Sequence, residues 1–143
     1  MDIKEKIYQL KKEKDVVILA HYYVEAAVQE IADFVGDSYA LAVKAAEAAQ
    51  NNIMFAGVSF MGESAKLLNP DKHVYMADGT AGCPMADMVT AAQVLAVRKE
   101  YPDAAVVCYV NSNAEVKAVS DVCVTSSNAV RVVKKLAQKQ IYF

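Results

Sequence analysis

The sequence predicts an α/β fold, a three-layer sandwich in which parallel strands are covered by helices on both faces. Five short apolar runs rich in β-branched residues lack polar alternation, as expected of strands that are buried on both faces. Helical patterns separate these runs, and strands that alternate with helices are typical of a parallel sheet. We expect the strands at residues 16–20, 53–58, 73–77, 105–110 and 122–124.

The helices follow from the segments around these strands. A charged amphipathic stretch at residues 1–14 predicts the first helix. Two later helices should end just before Pro70 and Pro102, because the residue that precedes a proline is pushed out of the α region. The later helical patterns lie at residues 28–35, 38–50, 63–68, 90–101 and 128–139.

The composition excludes several classes of function. The chain has 143 residues, of which 55% are hydrophobic, and can therefore bury a substantial core. Its net charge of −2 offers no basic surface for nucleic acid or for an anionic membrane. The apolar runs are too short to span a bilayer, and the first residues do not look like a signal peptide. An odd number of cysteines, three, suits a reducing compartment. We expect a cytoplasmic globular protein that binds neither nucleic acid nor membrane.

Polar and reactive side chains collect where the predicted strands end. In open parallel sheets this carboxyl edge is where ligands bind. The residues concerned are His21, Tyr22, Tyr23, Ser59, Cys83, Tyr109, Asn111, Thr125, Ser126 and Ser127. Helix capping is an equally good explanation for Asp37, Thr125 and Ser127. Capping explains His21 and the two tyrosines that follow it poorly, because imidazole and phenol groups are not capping groups.

The chain also contains an internal duplication. Shifting the sequence by 88 positions places residues 15–55 on residues 103–143 without a gap, with nine identities in 41 pairs. This period is longer than that of solenoid repeats, so a duplicated domain is indicated. We predict a first α/β repeat at residues 1–84 and a second, truncated repeat at residues 85–143.

The duplication relates the residues at the strand ends to one another. In this register His21 lies on Tyr109, and Ser38 lies on Ser126. The second copy stops at residues 141–143, within the strand that continues in the first copy. We therefore expect the chain to be a piece of a longer protein.

Six motifs carry a resemblance to a known family. They are ILAHYY at residues 18–23, QEIADFVGDS at 29–38, FAGVSFMGESAKLLNP at 55–70, AGCPMAD at 81–87, YPDAAVVCYVNSNAEVKAVSDV at 101–122 and CVTSSNAVRVVKKL at 123–136. In order and spacing they resemble the N-terminal part of the quinolinate synthase family. The resemblance covers nearly all of residues 15–143.

The resemblance implies a fold and a reaction. Members of that family have three homologous α/β domains around a pseudo-threefold axis, and each domain contributes one cysteine to a [4Fe-4S] cluster. The cluster leaves one iron open to act as a Lewis acid. The enzyme is a transferase that condenses iminoaspartate with dihydroxyacetone phosphate to quinolinate, in de novo NAD biosynthesis. A functional link to L-aspartate oxidase or aspartate dehydrogenase is implied as well.

The resemblance also implies roles for single residues. Cys83 would be one of the three cluster ligands and would face a central cavity shared by the repeats. Tyr23 and Tyr109 would take part in catalysis. The substrate-binding residues would be His21, Ser38, Tyr109, Asn111 and Ser126. Cys108 and Cys123 lie inside apolar strands, where free cysteine is usually a small buried hydrophobic residue.

Alternatives accompany these expectations. His21 could be a histidine of the core, and either Ser38 or Ser126 could be a helix N-cap. The whole chain could be a non-catalytic α/β fragment that cannot hold the cluster and binds dicarboxylates weakly at most. A trimer of this chain, with three copies of Cys83 on a threefold axis, is a variant of the enzyme hypothesis.

Overall fold

The computed structural model describes residues 2–143 and divides the chain into two compact units. The first unit runs to Gly82 and the second spans Cys83–Phe143. The boundary expected from the sequence lies at 84/85 and would leave Cys83 in the first repeat, whereas in the structure Cys83 begins the second unit. Each unit has its own parallel sheet flanked by helices, which confirms the predicted α/β class.

Four parallel strands form the sheet of the first unit, in the order β2-β1-β3-β4. The elements are α1 Ile3–Glu13, β1 Val16–His21, α2 Ala26–Gln29, β2 Phe34–Gly36, α3 Ser38–Glu47, β3 Asn52–Ala56, α4 Ser59–Leu68 and β4 His73–Met76. Helices α1 and α3 both pack against β1, which is buried from Val17 onward. The largest fully buried side chains of this unit are Leu19, Leu41, Ile53 and Phe55.

Three parallel strands form the sheet of the second unit, in the order β6-β5-β7. The elements are α5 Ala91–Glu100, β5 Ala105–Tyr109, α6 Ala114–Ala118, β6 Val122–Val124, α7 Ala129–Val133 and β7 Ile141–Tyr142. Strand β7 pairs with only the first two residues of β5. Among residues 2–143, the rest of β5 has a strand partner on the β6 side alone.

Local sequence signals set the helix ends. The hydroxyl of Thr90 accepts the Gln93 backbone N–H at 3.3 Å, and the Gln93 side chain accepts the Thr90 backbone N–H at 2.8 Å. This capping box starts α5. Helices α4 and α5 stop one residue before Asn69 and Tyr101, the residues that precede the two prolines, as the sequence predicts.

The two sheets repeat the same pairing at the offset of 88 residues. The first unit pairs Leu19–Phe34, Ala20–Val35 and His21–Gly36, and the second pairs Val107–Val122, Cys108–Cys123 and Tyr109–Val124. The pairs Val17–Ile53 and Ala105–Ile141 also correspond. The duplication found in the sequence is therefore present in the strand register of the fold.

An aspartate makes the same connection in both units. In the first, Asp33 accepts the Ile18 backbone N–H at 2.8 Å and donates its own N–H to the Ile18 carbonyl at 2.8 Å. In the second, Asp121 accepts the Val106 N–H at 2.7 Å and donates to the Val106 carbonyl at 2.9 Å. Basic side chains pair with these carboxylates, Lys11 with Asp33 at 2.5 Å and Arg98 with Asp121 at 2.9 Å.

Two helix predictions are wrong in extent. The helix expected at residues 28–35 ends at Gln29, and β2 occupies Phe34–Gly36. Because Asp33 bonds the edge of β1 through both its carboxylate and its backbone N–H, the chain leaves the helix and enters the sheet. The helix expected at 128–139 ends at Val133. Helix α6 was not expected from the sequence.

The expected burial of Cys108 is confirmed, and the expected burial of Cys123 is wrong. Cys108 is 6% exposed and lies on the inner strand β5. Cys123 is exposed because β6 is the edge strand of a three-stranded sheet, so its neighbourhood is only half covered. None of the helices in the described part of the chain has the length and apolar character of a membrane span.

Candidate active site

In the first unit, His21 closes β1 and is buried. Its Nδ1 accepts the backbone N–H of Tyr23 at 3.2 Å, which places the proton of a neutral imidazole on Nε2. Burial lowers the pKa of His21, although the nearby charge of Asp37 opposes this shift. The ring is therefore held neutral and in one tautomer. Its burial agrees with the alternative of a core histidine, yet Nε2 carries a proton to donate.

The rings of Tyr22 and Tyr23 pack against the His21 ring and are exposed to solvent. The His21 ring stacks on Tyr22 at 4.5 Å and meets Tyr23 edge-on at 4.7 Å, both between ring centroids. Tyr23 is 81% exposed, so its phenol is available to a ligand. A hydrogen bond to Tyr23 raises the pKa of Tyr22, which keeps that phenol protonated. The three rings form one cluster, because Tyr22 and Tyr23 also meet edge-on at 4.6 Å.

Ser38 lies at the start of α3 but does not cap it. The N-cap is Asp37, whose carboxylate accepts the Ala40 backbone N–H at 2.8 Å. The capping explanation is thus confirmed for Asp37 and wrong for Ser38, which is the first residue of the helix. At that position the Ser38 hydroxyl is a hydrogen-bond donor beside the first turn of α3, where the Asp37 carboxylate already accepts the Ala40 N–H.

Cys83 lies in a segment without helix or strand, as expected. The preceding turn is closed by Asp78, whose carboxylate accepts the backbone N–H of Thr80 at 2.8 Å and its hydroxyl at 2.6 Å. These hydrogen bonds lower the pKa of Asp78. The Cys83 carbonyl then accepts the N–H groups of Ala86 and Asp87 at 2.9 and 3.1 Å. The backbone on both sides of the thiol is therefore fixed, and the side chain is half-buried.

The second unit contains a cavity of about 500 Å³. Its walls include five valines and the aromatic rings of Tyr142 and Phe143, and its polar groups are few. The lining residues that bear sulfur, phenol or amide groups are Cys83, Met85, Met88, Cys108, Tyr109, Asn111 and Tyr142. An apolar cavity with a small number of polar groups is the usual form of a small-molecule site. Three residues expected from the sequence thus line one space.

Ser126 contacts Tyr109, one of the residues that line the cavity. Its hydroxyl lies 3.4 Å from the Tyr109 phenol oxygen. Ser126 does not cap α7, because the N-cap is Asn128. Neither Thr125 nor Ser127 caps it either: their hydroxyls lie 2.9 Å apart, and the Asn128 side chain accepts the Thr125 N–H at 2.8 Å. The turn is therefore held by its neighbours, and the Ser126 hydroxyl is turned toward Tyr109.

Sequence reasoning missed some contributors. Met85 and Met88 line the cavity although their motif drew attention only to the cysteine between glycine and proline. The Asn113 side chain donates to Asp87 at 3.1 Å and ties the segment after Cys83 to the start of α6. Spacing could not reveal this contact, since the two residues are 26 positions apart.

The donor set for a metal is small. Within the described part of the chain, no group of three or more His, Cys, Asp or Glu side chains could hold a metal ion. Cys83 is a single half-buried thiol at an apolar cavity, which suits one ligand of a thiolate-bound cluster. Residues 2–143 do not by themselves form a complete ligand set.

In each unit, side chains that can bind or react lie at the carboxyl ends of parallel strands, where α/β proteins bind their ligands. The family model for quinolinate synthetase A protein matches residues 5–143. The chain belongs to this family, which confirms the resemblance seen in the motifs.

Curated relatives agree with this assignment. A quinolinate synthase from Fusobacterium nucleatum is 57% identical over 140 residues, which cover 98% of this chain and 47% of that protein. One from Clostridium perfringens strain SM101 is 54% identical over 143 residues, covering 100% of this chain and 48% of that protein. One from Aquifex aeolicus is 51% identical over 142 residues, covering 99% and 44%. The chain spans about half the length of the curated relatives it matches.

Proposed function

We propose that this chain is the N-terminal part of a quinolinate synthase, a transferase that condenses iminoaspartate with dihydroxyacetone phosphate to quinolinate in de novo NAD biosynthesis. One observation carries the proposal. In a member of this family, Cys83, Tyr109 and Asn111 line a single cavity, and the Ser126 hydroxyl reaches the Tyr109 phenol. These are the residues that the motifs assign to cluster and substrate.

In the second unit, the polar groups would bind iminoaspartate. The hydroxyl of Ser126 and the side-chain amide of Asn111 are hydrogen-bond donors suited to carboxylate oxygens. Tyr109, which is only partly exposed, would orient the substrate and assist its deprotonation. Apolar walls strengthen these few interactions because they keep water away from the bound anion.

In the first unit, His21 would donate a hydrogen bond to the substrate and Tyr23 would donate a proton. The Nε2–H of a neutral His21 can donate to a substrate oxygen, while Ser38 and the first turn of α3 favour a carboxylate. The exposed phenol of Tyr23 would donate a proton in the condensation.

The proposed cofactor is a [4Fe-4S] cluster, which when bound would supply a Lewis-acidic iron to substrate oxygens. Cys83 would provide one thiolate ligand, and the others would come from outside residues 2–143. The fixed backbone around Cys83 would hold that thiolate in place. The iminoaspartate would be supplied by L-aspartate oxidase or aspartate dehydrogenase, in the cytoplasm.

A chimera tests the proposed reaction. Residues 1–143 replace the matching part of the Fusobacterium nucleatum quinolinate synthase, and quinolinate formation is measured without oxygen. We expect activity, with kcat lowered about 100-fold or more by Tyr23→Phe, because a positioned general acid contributes at least that factor. Ser126→Ala should raise KM about tenfold, since one hydrogen bond to a charged group is lost.

Tyr8→Phe is the matched control, because Tyr8 is a partly exposed tyrosine on α1. It should leave kcat and KM unchanged. A folded chimera without quinolinate formation would contradict the proposal, and so would a Tyr23→Phe chimera with full kcat.

The role of Cys83 is tested on the chain itself. Purification without oxygen and treatment with iron and sulfide should give broad visible absorption if this chain holds a cluster with further copies of itself. Cys83→Ser should abolish that absorption, and Cys108→Ser should not. Absence of iron binding, together with an inactive chimera, would favour the alternative of a non-catalytic fragment.

A further inference from the structure

We propose that Cys108 and Cys123 form a cross-strand dithiol that reacts with small-molecule disulfides and closes into an intramolecular disulfide. The inference rests on the second unit alone and does not depend on the proposed reaction. It concerns the two cysteines to which the motifs assign no role in the site.

Strand register brings the two residues together. Cys108 on β5 and Cys123 on β6 are directly paired in the parallel ladder. Neighbouring strands lie about 4.8 Å apart, and a disulfide needs Cα atoms between about 4.4 and 6.8 Å apart. Residues paired in this way also project to the same face of the sheet. Backbone spacing and side-chain direction therefore both permit the bond without movement of the strands.

The two thiols have different surroundings. Desolvation raises the pKa of Cys123, and the neighbouring Cys108 thiol, through its charge and a hydrogen bond, raises it further, while Lys117 lowers it. The Cys108 thiol also lies 3.2 Å from the Tyr109 carbonyl oxygen, to which it donates.

Exposure, rather than acidity, sets the order of reaction, because the raised pKa of Cys123 leaves less of this thiol as thiolate. Cys123 is exposed on the edge strand, whereas Cys108 is buried. The Cys123 thiolate would attack one sulfur of a glutathione-type disulfide, forming a mixed disulfide and releasing one glutathione thiolate. The Cys108 thiolate would then attack the Cys123 sulfur and release the second. Two thiols are oxidised and one small-molecule disulfide is reduced to two thiols.

The bond would lie directly beneath the candidate site. Tyr109 follows Cys108, and Ser126 lies three residues after Cys123, so the crosslink would tie together the two strands that position the Ser126–Tyr109 contact. The link would also close a loop between the two cysteines, which stabilises a protein mainly by restricting its unfolded chain. The urea midpoint of the second unit should therefore rise on oxidation.

The test uses the whole chain with oxidised glutathione as the probe. After incubation, remaining thiols are alkylated and the protein is digested and mapped by mass spectrometry. We expect free thiols to fall from three to one per chain, with Cys83 alkylated and one linked peptide pair that contains Cys108 and Cys123. Cys108→Ser should trap glutathione on Cys123, and Cys123→Ser should leave Cys108 reduced.

Three results would overturn the inference. A stable glutathione adduct on Cys123 of the unsubstituted chain would show that Cys108 cannot reach it. A link between Cys83 and Cys108, which line the same cavity, would show that Cys108 reacts with Cys83 and not with Cys123. Unchanged thiols in the folded chain, with all three alkylated only after denaturation, would show that the dithiol is closed to reagents. Cys83→Ser provides the matched control, because its two remaining thiols should still link to each other.

Discussion

The two units share one strand arrangement but differ in the length of their strand pairing and in the burial of equivalent side chains. In the first, β3 pairs with β1 through five residues and Phe55 is fully buried. In the second, β7 pairs with β5 through two residues, and Phe143, the equivalent of Phe55, is 69% exposed beside the cavity. Phe55 is therefore a paired core residue of β3, whereas Phe143 follows β7 and lines the cavity. Strand pairing is therefore shared by the two units, whereas the burial of equivalent side chains is not.

The largest expected difference concerns these two phenylalanines. Phe55→Ala should lower the free energy of unfolding of the first unit by about 3–5 kcal/mol, because it removes a fully buried ring. Phe143→Ala should change stability by less than about 0.5 kcal/mol, as exposed substitutions do. Hydrogen exchange read separately over each unit measures both effects. Equal losses would refute the comparison.

Replacing Asp33 or Asp121 should cause a smaller loss of stability than replacing Phe55, and the loss should be equal in the two units. Asp33→Ala and Asp121→Ala should each cost about 2 kcal/mol, because the buried N–H groups of Ile18 and Val106 lose their acceptor. Urea unfolding monitored in each unit checks the pair. A difference above about 1 kcal/mol between them would show that the two units do not use the carboxylate equally.

The pH dependence of Asp121 has a defined sign. The Val106 N–H, and after it Arg98, lowers the pKa of Asp121 below its usual value. Its contribution is therefore present above the unfolded pKa, near 4, and is lost as pH falls through the lower folded pKa. Stability measured across this acidic range should fall less steeply in Asp121→Ala than in the unsubstituted chain.

The next effect concerns helix capping, where loss of an N-cap should lower the free energy of unfolding by about 1 kcal/mol. Asp37→Ala should cost that amount because α3 loses the acceptor of the Ala40 N–H. Thr125→Ala, at the equivalent position, should cost less, because Thr125 does not cap α7. Unfolding of single variants in urea measures both. A larger loss in Thr125→Ala would contradict the assigned caps.

The smallest expected effect is the pH dependence of stability that His21 gives to the first unit; the second unit has Tyr109 at the equivalent position. Burial lowers the pKa of His21, so the folded state resists its protonation. Stability is then fully present above the unfolded pKa, near 6.5, and is lost as pH falls through the folded pKa. His21→Gln should flatten this slope in the first unit, whereas the exposed His73→Gln should retain it. A slope unaffected by His21→Gln would contradict the prediction.

Continuous β-branched runs made β1 and β5 predictable, since burial on both faces leaves an unmistakable pattern. Strand β2 was missed because three residues at a sheet edge, two of them exposed, carry no such pattern. The repeat offset held the missing signal, as it places β2 on the predicted strand β6. Local sequence gives the type of a long element far better than that of a short edge strand.

The candidate site was only partly predictable. Position after a strand identified Tyr109 and Asn111, because the carboxyl edge of a parallel sheet is fixed by topology. The exposure of Cys123 and the contact of Ser126 with Tyr109 depend on which strand lies at the edge and on how a turn folds. Both are tertiary properties that residue type does not encode.

The partly paired strand β5 has a practical consequence. Main-chain groups without a neighbouring strand act as a template on which any extended peptide of matching length can add by hydrogen bonding. The stretch from Val107 to Tyr109 offers such a template within residues 2–143. An added strand would continue the β7 side of this sheet along the rest of β5.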